Sequence, residues 1–598
     1  MKSSYRFTRA KGVFAIILGA LVLIGLTAGQ AAPAGKVKHQ AAINHATTVV
    51  FDNDQGVPAD PTNFNPWSPN TDQSFGLVQA IFEPLFITNV VTGQQEPWLA
   101  TNMTPSNGFK TWTLTLRAGV KWSDGKPFTA DDVIFSIQLL QKYSDLNAAN
   151  TFPGVKMKKT NNLTVVFTLP AANPRFELNN FSTVLASKTF FVVPKHIWSG
   201  LGDPIKFTNY DPSKGWPVGT GAYKVASVTP TSRTFVRNDK WWGSATGFKP
   251  LPAPKTLIWQ ALGTEETRAA AIATNSMDVG ANFTVGAYQA LVAQNSAVSA
   301  WTSKPPYGFF DVCPRSLDFN TLVQPWSDPT LRWAVNEAIN RGALNQITFQ
   351  GSSIGSLGPF PVYPALNTYV NLLKKQGVFK KYPISTVSIA KAKSAIESLG
   401  YTLQGNTYQK GGQTLSLEIT AFNDPTMLAI AQGIAQELQK VGINATVRTL
   451  SVPNFIDDLL AGTFQANVFF GACGSSIDPW QSMDAFNVSH FVPAGQNIAG
   501  FYSNSFRWNS GNAQAYSQIV DSIGKLAPGD PKIGPLFVKA MSLWLADLPS
   551  IPLLQFPQLS PTNSKYWTGW PTAKNPYIQP TYNSAAAIVT IDSLKPAK

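Results

Sequence analysis

The chain has 598 residues, with 47 Lys and Arg against 33 Asp and Glu, a net charge of +14. Charged residues make up only 13%, about half of the roughly 25% usual for soluble domains, yet 44% hydrophobic and 12% aromatic residues exclude a disordered chain. The 44 Gly and 44 Pro disfavour coiled coil and solenoid, and scattered bases with no run of five argue against nucleic acid as a partner.

At the start, Lys2, Arg6, Arg9 and Lys11 precede an apolar run from Val13 to Leu26 and small residues from Ala28 to Ala34. This is the layout of a secretory signal over residues 1–34. The apolar run is about 14 residues, short of the roughly 20 that a membrane span needs. Gln30 follows Leu26-Thr27-Ala28-Gly29 where a lipoprotein would carry Cys, so a periplasmic or secreted protein without a lipobox cysteine is expected.

Thr47 to Asp54 reads as a first strand, followed by a Pro/Asn-rich loop from Gly56 to Asn70 that holds Trp67. Thr111 to Arg117 alternates apolar and polar at period two, the mark of a half-buried strand, and Asp124-Gly125 tips the turn after it. Thr129 is an N-cap with Asp131 and Asp132 in the first turn, and Val133, Ile134, Ile137 and Leu140 mark the apolar helix face. Asp328 opens a second helix carrying Leu331, Val335, Ala338 and Ile339. A third runs from Met427 to Val441 and ends at Gly442. Asn444 to Leu450 and Phe464 to Phe470 follow as strands, so strands and helices alternate as in α/β lobes. At roughly 100–200 residues per domain the length suggests three or four structural units.

The two cysteines, Cys313 and Cys473, make one disulfide in an oxidising compartment or remain as two buried thiols. His39, His45, His196 and His490 show no His-x-x-x-His spacing, so no metal site and no cofactor are expected. Ser388-Ile-Ala-Lys391 matches a Ser-x-x-Lys motif but has no Ser-Asp-Asn or Lys-Thr-Gly partner. A glycoside hydrolase with two acids roughly 5 to 10 Å apart is the enzyme alternative, and no enzyme is expected.

Trp112 to Ser136, running through Arg117-Ala-Gly-Val-Lys-Trp-Ser-Asp-Gly-Lys-Pro-Phe-Thr-Ala-Asp-Asp132, resembles the signature of family 5 extracellular solute-binding proteins, the dipeptide/oligopeptide group of ABC importers. Phe82-Glu-Pro-Leu85, Val193-Pro-Lys-His196, Pro217 to Tyr223, Arg237 to Gly243, Phe319-Asn320, Val441-Gly-Ile443 and Asp478-Pro479 follow the family's order over nearly the whole chain. The resemblance implies an α/β, two-lobed periplasmic-binding-protein-like fold of type II, in its large three-subdomain variant, with a ligand cleft at a hinge. Lobe I would comprise 35–310 plus 479–598, with an inserted subdomain at about 91–214, and lobe II 311–478. Cys313 and Cys473 would then lie where the chain enters and leaves lobe II, on neighbouring crossing strands within disulfide reach. A monomer that delivers its ligand to an ABC permease is expected.

Peptide binders of this family hold the ligand's amino terminus with an Asp after the return strand. Here Ser475 of Gly471-Ala-Cys-Gly-Ser-Ser-Ile-Asp478 stands in about that place, and Asp478 reads as structural. A buried ammonium without a carboxylate is costly. The C-terminal Tyr566-Trp-Thr-Gly-Trp-Pro-Thr572 resembles members that bind β-linked oligosaccharides, and 17 Trp supply stacking faces. The expected ligand is therefore a cello-, xylo- or manno-type oligosaccharide, with an oligopeptide or dipeptide as the alternative. Trp67, Trp480, Trp567 and Trp570, in loops flanked by Pro or Gly, are the candidate stacking residues, and Asn320, Gly474 and Ser475 the candidate polar contacts. Trp112, Trp241 and Trp242 read as structural. Scarcity of carboxylates suits an acidic medium, because fewer protons are taken up as pH falls.

Overall fold

The computed structural model describes residues 43–68, 71–143, 146, 152–184, 189–500 and 503–598. The secretory signal, the lipobox position and His39 lie outside the described residues.

The first sheet grows from β1 (Thr48–Asp52), and the chain then builds a second, antiparallel sheet. That second sheet is assembled from β2 (Ala100–Ser106), β3 (Thr111–Leu116), β4 (Lys156–Asn161) and β5 (Thr164–Thr168) in the order β2-β3-β5-β4. In β3 the period-two alternation turns Trp112, Leu114 and Leu116 inward and leaves the threonines half-buried. Helix α1 (Ala130–Lys142) covers the sheet and starts with the expected cap. Thr129 and Asp132 form a reciprocal capping box that satisfies two otherwise orphaned backbone donors. Strand β6 (Tyr223–Thr229), β7 (Ser232–Arg237) and β8 (Thr256–Gln260) complete the first sheet in the order β1-β8-β7-β6, with β1 parallel to β8.

From β9 (Arg315–Phe319) the chain builds the other half of the molecule. Its elements are α2 (Pro329–Ala338), β10 (Ser416–Phe422), α3 (Pro425–Lys440), β11 (Asn444–Leu450), β12 (Ala466–Phe469), α4 (Gly511–Gly524), α5 (Ile533–Asp547) and β13 (Ser550–Leu554). Five strands form one mixed sheet in the order β11-β10-β12-β9-β13. Parallel β10 and β11 are joined by α3, a βαβ unit, whereas β9 runs antiparallel to both neighbours. The helix read as starting at Met427 begins two residues earlier, because Asp424 accepts the Met427 amide and Pro425 takes the first helical position.

Two hydrophobic cores result. The first gathers residues from Val49 to Trp259, Val279, and the C-terminal stretch from Trp567 to Leu594, while the second runs from Val312 to Leu554 with Val90 added. The sequence reading put 479–598 with the first lobe; residues up to 554 instead pack in the second core. The reason is β13, which pairs with β9 through Leu317 and Ile551, so α4, α5 and the turn between them follow it. The chain passes between the cores beside itself, as Phe309–Phe310 pairs antiparallel with Pro557–Gln558.

Several carboxyls are buried in these cores with little compensating charge. Glu83 accepts from the indoles of Trp98 (3.0 Å) and Trp242 (2.8 Å), and burial pushes it up to about 7. Burial likewise raises Asp278 to about 7 and Asp318 to about 6. A carboxyl whose pKa is higher folded than unfolded makes folding take up protons. Stability from these groups is greatest below about pH 4, falls through the window from about 4 to about 7, and is level above it. The melting temperature is therefore expected to be lower at pH 8 than at pH 5. Asp278→Asn, which keeps an acceptor for the Val50 amide, is expected to flatten that slope in calorimetric melts across the window; an unchanged slope would refute this origin.

Candidate ligand site at the seam between the cores

The loop after β12 is shaped by short residues. A side chain at Gly471 would collide with the Asp318 carboxylate and with Phe506, and Gly474 sits at φ +131, where any side chain is strained. Cys473 is disulfide-bonded to Cys313, with Cα atoms 4.6 Å apart. Ser475 accepts the Ser482 amide through its hydroxyl (2.9 Å), and the Ser482 hydroxyl donates to the Ala472 carbonyl (2.7 Å), which closes the loop on the short helix Trp480–Asp484.

Asp478 ends this loop. It accepts the Trp480 amide (3.0 Å) and takes both arms of Arg175, Nε to Oδ1 at 2.7 Å and Nη2 to Oδ2 at 3.1 Å. Both side chains are only 2% exposed. Arg175 belongs to the first half of the chain, just before the helix Phe176–Phe181. Its third nitrogen donates to the carbonyls of Ile523 (3.1 Å), Gly524 (3.1 Å) and Leu526 (2.9 Å), at the C-terminus of α4. The Ile523 carbonyl also accepts the Leu526 amide (3.0 Å), whereas those of Gly524 and Leu526 lie at and just past the negative dipole end of the helix, so a planar cation with five donors fits the group.

Beside this clamp lies a cavity of about 640 Å³, lined by Trp480, Phe176, Asn173, Asn179 and Asp521 among others. The Trp480 indole donates to the Val520 carbonyl at 3.2 Å, and its ring lies 5.3 Å from the Arg175 guanidinium carbon. Gly524 permits that approach, since a Cβ there would come within 2.9 Å of the indole nitrogen. The volume is in the range of small-molecule sites, roughly 300–1,000 Å³, and the wall combines aromatic faces and neutral amides with the charged Asp521 and Lys525.

Of the seven candidate contacts, Trp480 alone lines this cavity. Trp67 is 2% exposed and packs edge-on against Trp198. Trp567 is fully buried with its indole on the Thr48 carbonyl (2.8 Å), and Trp570 is 5% exposed with its indole on the Trp567 carbonyl (2.9 Å). These three are core residues, because the loops that carry them are folded over the first core. Asn320 is fully buried, donating to the Gly462 carbonyl and accepting the Leu322 amide, and Ser475 is consumed by Ser482, so both shape loops. Gly474 serves the backbone turn. Arg175 was missed, and its local sequence, Asn173-Pro-Arg175, carries no signal of a partner 303 residues away.

Breaking a buried ion pair from one side leaves a naked charge and costs about 3–5 kcal/mol. Arg175→Ala is expected to lower the unfolding free energy by about that amount in urea titrations, and Arg175→Lys by most of it, since Lys lacks the fork that serves Asp478 and the helix carbonyls together. Non-reducing peptide mapping is expected to recover one peptide pair joined through Cys313 and Cys473; two free thiols would contradict the bond.

The profile of the bacterial extracellular solute-binding proteins, family 5 (middle region), matches residues 94–491. A nickel-binding periplasmic protein of Escherichia coli is 26% identical over 452 residues, covering 73% of this chain and 78% of the relative. A glutathione-binding protein of Salmonella choleraesuis is 25% identical over 507 residues, covering 80% and 88%. Among solved structures, a periplasmic oligopeptide-binding protein of an oligopeptide ABC transporter from Thermotoga maritima aligns over 93% of this chain and all of its own, with TM-score 0.79 and 23% identity. Its mannohexaose-bound form aligns over 93% and 99%, with TM-score 0.73 and 23% identity. The fold is thus the type II periplasmic-binding-protein fold, as expected. The chain belongs to family 5 of the bacterial extracellular solute-binding proteins, the non-enzymatic substrate-binding components of ABC importers.

Proposed function

We propose that this exported importer component captures a neutral oligosaccharide of the manno-, cello- or xylo-type between two lobes and presents it to the permease. In this reading the lobes follow the two hydrophobic cores, and the paired crossings at 309–310 and 557–558 form the hinge. The observation that carries the ligand class is the state of Asp478. Its carboxylate is spent on Arg175 and on the Trp480 amide, so the loop has no free acid for the ammonium of a peptide. Asp521, the carboxylate that lines the cavity, already accepts from the Asn487 side-chain amide (2.7 Å), so a peptide's amino terminus brought to the loop would lose hydration with no loop carboxylate to replace it.

Sugar rings instead ask for an aromatic face under their C–H surface and for neutral amides around their hydroxyls. Trp480 would supply the first, and Asn173 and Asn179 the second. The mannohexaose bound by the Thermotoga maritima protein supports the same class.

A thermal-shift screen tests this reading, since a ligand at about 1,000 times its Kd adds about 4 kcal/mol to the native state. Mannohexaose and its cello- and xylo-counterparts are expected to include a stabilising ligand, and Trp480→Ala to abolish the shift. Stabilisation by di- to nonapeptides alone would establish the peptide alternative.

A further inference from the structure

Between Glu337 and Glu397 the sequence contains no acid, only Arg341 and six lysines: Lys374, Lys375, Lys380, Lys381, Lys391 and Lys393. Arg341 is buried, whereas all the lysines except half-buried Lys393 are exposed. No ion pair among the described residues engages any of the six.

The fold gathers these charges. The helix Pro364–Lys375 ends at Gly377, which turns the chain at φ +71, a conformation that favours glycine. The Gly377 amide donates to the Lys374 carbonyl (3.1 Å), and the amides of Lys380 (3.0 Å) and Lys381 (3.3 Å) donate back to the Gly377 carbonyl. Four lysines are thereby wound about one corner. The next residue, Tyr382, stacks on Trp333 of α2 with ring centroids 6.0 Å apart. One turn along the same helix, the Glu337 carbonyl accepts the Ser388 amide at 2.8 Å. Residues four apart share a helix face about 5–6 Å from one another, so the corner and the start of the helix Ile389–Ser398, which carries Lys391, are neighbours. The segment that joins them and the first residue of that helix expose two apolar side chains, Val387 at 42% and Ile389 at 36%.

We propose that this face, comprising Lys374, Lys375, Lys380, Lys381 and Lys391 around Val387 and Ile389, is a docking surface for an anionic phospholipid bilayer. Lysines outside any ion pair, of which Lys381 lies over the Tyr382 ring (5.1 Å) and Lys391 feels the charge of Glu337, draw the face to phosphate headgroups, and each ammonium near such a surface adds to the attraction. The two apolar tips reach the boundary between headgroups and acyl chains, where lysine stems lie along apolar surface with their charges in water. The face lies on the second core, whereas the cavity beside Trp480 lies at the seam. Binding there would hold an importer component near the membrane that carries its permease and turn a three-dimensional search into a two-dimensional one. The inference rests on the family, not on the ligand class.

The test is co-sedimentation of the protein with phosphatidylcholine vesicles, with and without about one-third phosphatidylglycerol, at about 0.05 M and about 0.5 M salt. Binding is expected to require phosphatidylglycerol and to fall with salt. The variant Lys374→Gln, Lys375→Gln, Lys380→Gln, Lys381→Gln is expected to partition about 1,000-fold more weakly. A control with the same net charge, Lys121→Gln, Lys126→Gln, Lys156→Gln, Lys158→Gln, removes exposed lysines elsewhere and is expected to bind nearly as the parent does. Absence of binding to phosphatidylglycerol vesicles, or equal loss in both variants, would overturn the proposal. So would vesicle binding that survives the first set of substitutions while binding to duplex DNA is lost.

Discussion

The pairing of Arg175 with Asp478 is the contact that lets two separately built cores share a working seam. A lone guanidinium or carboxylate at 2% exposure would be prohibitive, so each fixes the other. The geometry demands more than charge, because the same guanidinium also satisfies three carbonyls at the end of α4. One side chain from the first half of the chain therefore positions a loop and a helix end in the second, and Trp480 stands between them. A hydrophobic replacement of both partners would fill the space, but it would leave the Gly524 and Leu526 carbonyls without the guanidinium and the loop without its anchor.

The low content of acids takes on a second meaning against this background. Carboxyls that do enter the cores are mostly held without a cation, as with Glu83 under two indoles and Asp278 on a strand amide. Such groups favour their protonated form and are tolerated most readily where protons are plentiful. The positive excess at the surface is likewise unevenly distributed, concentrated where acids are missing from a long stretch of sequence.

What the sequence made legible was local. The alternation in β3, the Thr129 cap and the Asp328 cap of α2 were readable because each depends on neighbours within a few residues. The family motifs supplied the fold. The site was harder, since Pro and Gly around Trp67, Trp567 and Trp570 suggest open loops, whereas distant segments cover them. The placement of 480–554 turned on one strand pairing, β13 with β9, which no local pattern announces. Trp480 was found for its loop context, and Arg175 was invisible because its meaning lies wholly in a remote partner.

The bond from the Trp567 indole to the Thr48 carbonyl joins residues 519 positions apart. Trp567, Trp570 and the C-terminal helix Ala587–Ser593 contribute to the same core as β1. Contacts of such separation require closing a very long loop before they return any free energy. The first core can therefore reach its final packing only after the last segment of the chain has emerged. A nascent chain with this topology keeps that core open until residues 567–594 have been made. The half of the molecule that begins first is the one that closes last.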